Sequence, residues 1–159
     1  MTRLAIIARR LTLIVLVGGT LGVATSAIIV FDKAPTREIA GQIGTSVFDM
    51  LSRVVFVAAV ILLTASIVIR RREPSLRSRI NLFLSVAIFV VASLIALWLT
   101  PGMGHIWSTA QHDPAGGGLI GEERSRFMML HGIGNLGYLS IVVMGIVLTI
   151  LGPGKKKRN

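Results

Sequence analysis

The sequence predicts an all-α fold, an integral membrane four-helix bundle with both termini on the cytoplasmic side. Three observations carry that expectation. Hydrophobic residues make up 53% of the 159 and charged residues 15%, with a mean hydropathy of +0.77. Such a chain is too apolar for a soluble domain that must present a polar surface. Four apolar runs, at residues 11–31, 47–69, 80–100 and 127–151, each approach the length at which a helix rising about 1.5 Å per residue crosses roughly 30 Å of hydrocarbon. Twelve of the 17 basic residues then fall on one side of such a four-pass chain. These are Arg3, Arg9 and Arg10 before the first run, Arg70, Arg71, Arg72, Arg77 and Arg79 between the second and third, and Lys155, Lys156, Lys157 and Arg158 after the fourth. Basic residues collect on the cytoplasmic side of membrane proteins, so the termini are expected inside, as in a bacterial inner membrane.

Composition also excludes functions. A net charge of +10 invites a nucleic-acid partner, yet the basic residues form short runs beside apolar segments rather than a basic face interleaved with aromatics, so none is expected. The absence of cysteine removes disulfides, thiolate metal sites and thiol nucleophiles. No Ser-His-Asp arrangement or pair of carboxylates within a span is evident, and the glycines Gly116 to Gly118 lack the following Lys-Ser/Thr of a phosphate loop. No catalytic residue is therefore expected.

In chain order, the first run follows Arg10 and continues through Phe31, past the small residues Thr25, Ser26 and Ala27 at which a secretory leader could be cut. An uncleaved first helix is the expectation. Gly18, Gly22 and Ser26 recur every four residues and should let a neighbouring helix approach closely. Residues 32–46 read as a short connection, with an interfacial helix from Thr36 to Ile43 capped by Thr36. Starting the second helix at Val47 brings Asp49 and Arg53 into the outer half of the membrane, one turn apart and able to pair. Each is expected to be needed for folded yield. Pro74 and Ser75 end that helix and start the third, whose outer end carries Trp98 with Trp107 beyond. Residues 101–126 form the outer loop, with His112 read as a solvated loop residue.

The fourth run is apolar except for one stripe. His131, Asn135, Tyr138, Val142, Gly145 and Thr149 lie on one helical face, so this helix has a side that needs protein rather than lipid. At about 1.5 Å per residue, Arg53, His131 and Asn135 sit roughly 9, 6 and 12 Å inside the outer ends of their helices. If helices two and four are neighbours, Asp49, Arg53, His131, Asn135 and Tyr138 make one polar cluster, either holding the bundle together or binding a proton, an anion or a lipid head group. Met103 and His105 in the loop, with Met128 and His131 at the start of the fourth helix, are ligand types that suit Cu(I). Axial haem ligation by His105 and His131 is a further alternative. Close packing is assigned to Gly18, Gly22, Ser26 and Gly145.

Two segments carry a resemblance. Pro35, Ala40, Gly41, Gly44 and Phe48, together with Phe127, Leu130, His131 and Asn135, are similar to the motifs of a bacterial four-helix membrane family, the domain of unknown function 4149, related to the eukaryotic transmembrane protein 205. Pro101 and Met103 match its proline after the third helix. The chain departs from it at Ala27 to Phe31, where members carry Ala-Pro and Leu-Phe. The resemblance implies a four-helix membrane fold and no established activity. The function expected is that of a structural or accessory subunit in the lipid bilayer, packing against partner membrane proteins or further copies of itself, without a cofactor. A carrier or small-ligand-binding bundle and an outer-side copper or haem protein are the alternatives.

Overall fold

A computed structural model describes residues 2–113 and 118–152; Pro114, Gly116, Gly117 and the tail from Lys155 to Arg158 lie outside the described residues. Four long rods make up the fold, each long and apolar enough to cross a membrane. The first joins α1 (Thr2–Ile14) through a π-helical turn (Val15–Gly19) to α2 (Thr20–Lys33). The second is α3 (Arg37–Arg72), uninterrupted. The third joins α4 (Leu76–Leu94) through a second π turn (Ile95–Leu99) to α5 (Thr100–Thr109), and the fourth is α6 (Gly121–Leu151). No strand occurs among the described residues, only an isolated bridge between His112 and Leu119.

The helices outrun the apolar runs that announce them. Residues 36–43, expected as a separate interfacial helix, are the first turns of α3. Thr36 does cap it, its Oγ1 accepting from the Ile39 N–H at 3.3 Å. Likewise 101–109 and 121–126, assigned to the outer loop, are helical, which leaves 110–120 as the connection. Hydropathy marks where hydrocarbon ends, whereas a helix stops where its hydrogen-bond ladder is broken. Pro101 does not break it, because the π turn just before it widens the ladder where the proline ring would otherwise meet the preceding carbonyls.

Around the bundle, each rod touches the next in sequence and the fourth closes onto the first. The second and fourth rods stand diagonally opposite, with no backbone approach between α3 and α6. Leu16, Val55, Leu62, Ile88, Ile95, Ile141 and Leu148 fill the centre, each almost wholly buried. At the end that holds Thr2 and Gly152, the termini of the described chain, polar bonds tie rods together where water is scarce. Ser66 and Ser85 share a hydroxyl bond of 2.8 Å between α3 and α4, and Ser85 Oγ also donates to the Asn81 carbonyl at 2.8 Å. Asn81 Nδ2 donates to the Gly152 carbonyl at 2.9 Å, and Arg9 donates to the Leu148 carbonyl at 2.6 Å. Ser85→Ala, measured by unfolding in mixed detergent, is expected to destabilise by about 0.6 kcal/mol, the size of an interhelical hydrogen bond in a membrane.

The first and fourth rods meet closely at the waist and diverge on either side. At the waist a Cβ on Gly145 would lie 2.7 Å from a Val17 methyl, so glycine sets that approach. Beyond it α2 leans on α3, and only Thr20 of its residues is buried. Two crevices between the first and fourth rods result, one toward each end of the bundle.

Candidate functional site

At the distal end, away from the termini, the rods enclose an aromatic chamber. Gly41 and Gly44 are one turn apart on a buried face of α3. The Trp107 indole of α5 covers Gly41, occupying the space a Cβ would take, and the Phe31 ring of α2 lies 3.7 Å from a Cβ at Gly44. One turn further on, Phe48 reaches across the bundle to α6, edge-on to His131 at 6.0 Å and tilted against Tyr138 at 6.3 Å between ring centroids. His131 stacks on Phe127 at 6.1 Å, and Phe127 meets Trp107 at 5.7 Å. Residues 41 to 48 of one rod and 127 to 138 of another thus converge through side chains, although their backbones stand on the diagonal.

Three hollows surround these rings, each lined in part by Phe31. A crevice of about 590 Å³ between α2 and α6 is lined by Thr20, Ala24, Leu51, His131, Asn135 and Tyr138 among others. Of these, Thr20 and Tyr138 each carry a buried hydroxyl without a hydrogen-bond partner. A smaller, nearly apolar cavity of about 210 Å³ lies under Trp107, with Met103, Met128 and His131 on its wall. A mouth of about 680 Å³ opens at the distal face between Thr36, Arg37, Asp113 and Arg124.

The polar stripe of α6 faces the first rod, with Tyr138, Val142 and Gly145 buried. The single polar cluster expected of Asp49, Arg53, His131, Asn135 and Tyr138 does not form. Asp49 and Arg53 pair with each other at 2.9 Å on the surface of the bundle, the Arg53 side chain 76% exposed, and no hydrogen bond among the described residues joins them to His131 or Asn135. Geometry explains the division: helices two and four are diagonal, and at about 100° per residue Asp49 and Arg53 lie more than a quarter turn from Phe48 and Leu51, which look inward.

The soft ligands divide too. Met103 and Trp107, four apart, share the inward face of α5. His105 lies about 200° round the helix from Met103 and is exposed, so Met103, Met128 and His131 share a cavity that His105 does not line. Two thioethers and one imidazole suit Cu(I). Among the described residues no three His, Cys, Asp or Glu groups gather as metal ligands. Gly18, Gly22 and Ser26 run along the exposed side of the first rod, where a Cβ at either glycine meets nothing within 4 Å.

Several residues of the candidate site lie beyond the sequence reading. Thr20 sits inside an apolar run and reads as packing, while Trp107 reads as an interfacial aromatic. His112, expected solvated, has a buried Nε2 and an edge contact with Trp107 at 5.1 Å. The one available signal was the pairing of Gly41 with Gly44, which leaves room for a large ring.

The sequence profile of a family described as Domain of unknown function (DUF4149) matches residues 11–112, more than half of the chain. The chain belongs to the DUF4149 family. The matched stretch contains Gly41, Gly44, Phe48 and Trp107, the half of the chamber contributed by α3 and α5, and stops before α6. No curated protein and no solved structure matches the chain.

Proposed function

We propose that this DUF4149 protein works by binding rather than catalysis. In this reading it is a multi-pass bundle of the bacterial inner membrane, with both termini cytoplasmic, that holds an apolar molecule carrying one or two hydrogen-bonding groups in the crevice between α2 and α6. A single observation carries it: Thr20 and Tyr138, each with a hydroxyl that is buried and unpartnered, line the same apolar crevice as His131 and Asn135. Buried hydroxyls without partners cost about 1 to 3 kcal/mol each, and a ligand carbonyl or hydroxyl offsets that cost. The remaining wall is aliphatic and aromatic, as in small-molecule sites generally. No cofactor is required. Full-length protein taken up in mild detergent and extracted into organic solvent should release such a compound in near-stoichiometric amount. Ala24→Trp, which fills the crevice, should lose most of it, and equal recovery from both proteins would rule the site out.

The second reading, an accessory subunit, is favoured by the uncovered stripe of Gly18, Gly22 and Ser26. A helix of a partner membrane protein or of a second copy can pack there backbone to backbone. Replacing Gly22 with Leu should then release a co-purifying subunit or shift the oligomer to a smaller species in native electrophoresis, while leaving the crevice ligand in place.

A further inference from the structure

The second crevice between the first and fourth rods lies at the end that holds the termini, and it differs from the first in carrying charge. It encloses about 580 Å³ and is lined by Arg9 and Arg10 at the head and by Leu13, Val17, Gly18, Ile146 and Ile150 below. Arg9 is 2% exposed, donates to the Leu148 carbonyl and leaves its Nε buried without a partner. No ion pair among the described residues includes it. Nor is a carboxylate at hand: of the seven acids, Glu73 alone belongs to this end, in the turn between α3 and α4, and it does not line the crevice. A buried guanidinium has five donors, and one carbonyl leaves most of its charge uncompensated.

We infer that this crevice seats an anionic phospholipid from the leaflet on the side of the termini, its phosphate against Arg9 and Arg10 and an acyl chain along Leu13, Val17, Gly18, Ile146 and Ile150. Charge and shape both select that occupant. Arginine binds phosphate oxygens through a planar fork, often with two bonds at once. From Arg9 to Gly18 the groove descends about 13 Å at helical rise, close to the half-thickness of a hydrocarbon core of roughly 30 Å. The waist contact of Val17 with Gly145 closes the groove near that depth. The lipid supplies the counter-charge that no side chain provides and covers a seam that α1 and α6 leave open.

The test uses the full-length, delipidated protein in a neutral detergent, with thermal unfolding followed as phosphatidylglycerol, phosphatidylcholine or inorganic phosphate is added. Phosphatidylglycerol is expected to raise the midpoint at concentrations about tenfold lower than phosphatidylcholine needs, and inorganic phosphate to leave it unchanged. Two variants separate the groove from the basic loops, which attract any anionic surface. Gly18→Leu puts a side chain into space that is open in the structure, and Ile150→Trp enlarges a residue already 78% exposed at the groove wall; either should fold without lipid and lose the preference. Equal midpoints with the two lipids, stabilisation by inorganic phosphate alone, or an unaltered preference in whichever variant folds would each overturn the site.

Discussion

Gly41→Val is expected to lower the stability of the bundle by about 1 to 3 kcal/mol, the usual cost of forcing extra methyl groups into a filled core. The reason is local and geometric. Trp107 lies directly over Gly41, so a side chain there and the indole claim the same volume. The indole cannot simply step aside, because it is held edge-on by His112 and packed against Phe127, which in turn stacks on His131. Displacing it therefore opens the whole distal chamber. Gly41→Ala should show a smaller loss of the same kind. The unfolding midpoint and the tryptophan emission, both measured in a Trp98→Phe background, check this. Trp98 is 64% exposed, so its replacement disturbs little. A native midpoint together with native emission in Gly41→Val would mean that the ring does not sit on this glycine.

Much of the fold is legible because membranes permit few solutions. Without water to satisfy backbone groups, an apolar run of spanning length in a chain of this kind becomes a helix, and the four rods follow from four runs. What the runs do not disclose is where each helix ends. Arg37 to Ser46 reads as a polar connection by composition, yet nothing between Thr36 and Glu73 interrupts the ladder, and the helix takes all of it. Rod arrangement is also invisible to periodicity. The stripe on α6 identifies a face that needs a neighbour, but whether that neighbour is the first rod or the second depends on how the loops close the ring. Placing α3 and α6 side by side led to one shared polar cluster, and the diagonal placement divides it.

The candidate site was legible only in part for a related reason. His131, Asn135 and Tyr138 stand out as polar groups in an apolar helix, and they do line one crevice. Their partners are apolar or small, such as Phe48, Leu51 and Ala24, and residues of that kind carry no signal of their own in a chain that is 53% hydrophobic. Arg9 shows the opposite failure. Beside an apolar run it reads as one more interfacial cation, and the carbonyl it meets belongs to a residue 139 positions away.

Arg9 therefore gives the most discriminating substitutions in the bundle. Arg9→Ala removes a large, fully buried side chain and leaves a cavity at the junction of α1 and α6, with an expected loss of about 2 to 5 kcal/mol by analogy with other large-to-alanine changes in cores. It also takes away the charge-assisted bond to Leu148, whose carbonyl also accepts from the Gly152 N–H at the end of α6. Arg9→Met separates these effects. Methionine restores most of the volume, and removing the charge relieves a desolvation cost that no carboxylate offsets; what remains is the bond and its compensation of the helix C-terminus, about 1.5 to 3 kcal/mol. The order expected in detergent unfolding is wild type, then Arg9→Met, then Arg9→Ala. If Arg9→Met matched Arg9→Ala, the guanidinium charge rather than its bulk would be holding the two rods together. Equality of Arg9→Ala with wild type would instead place Arg9 outside the bundle, among the solvated basic residues that its neighbours in sequence resemble.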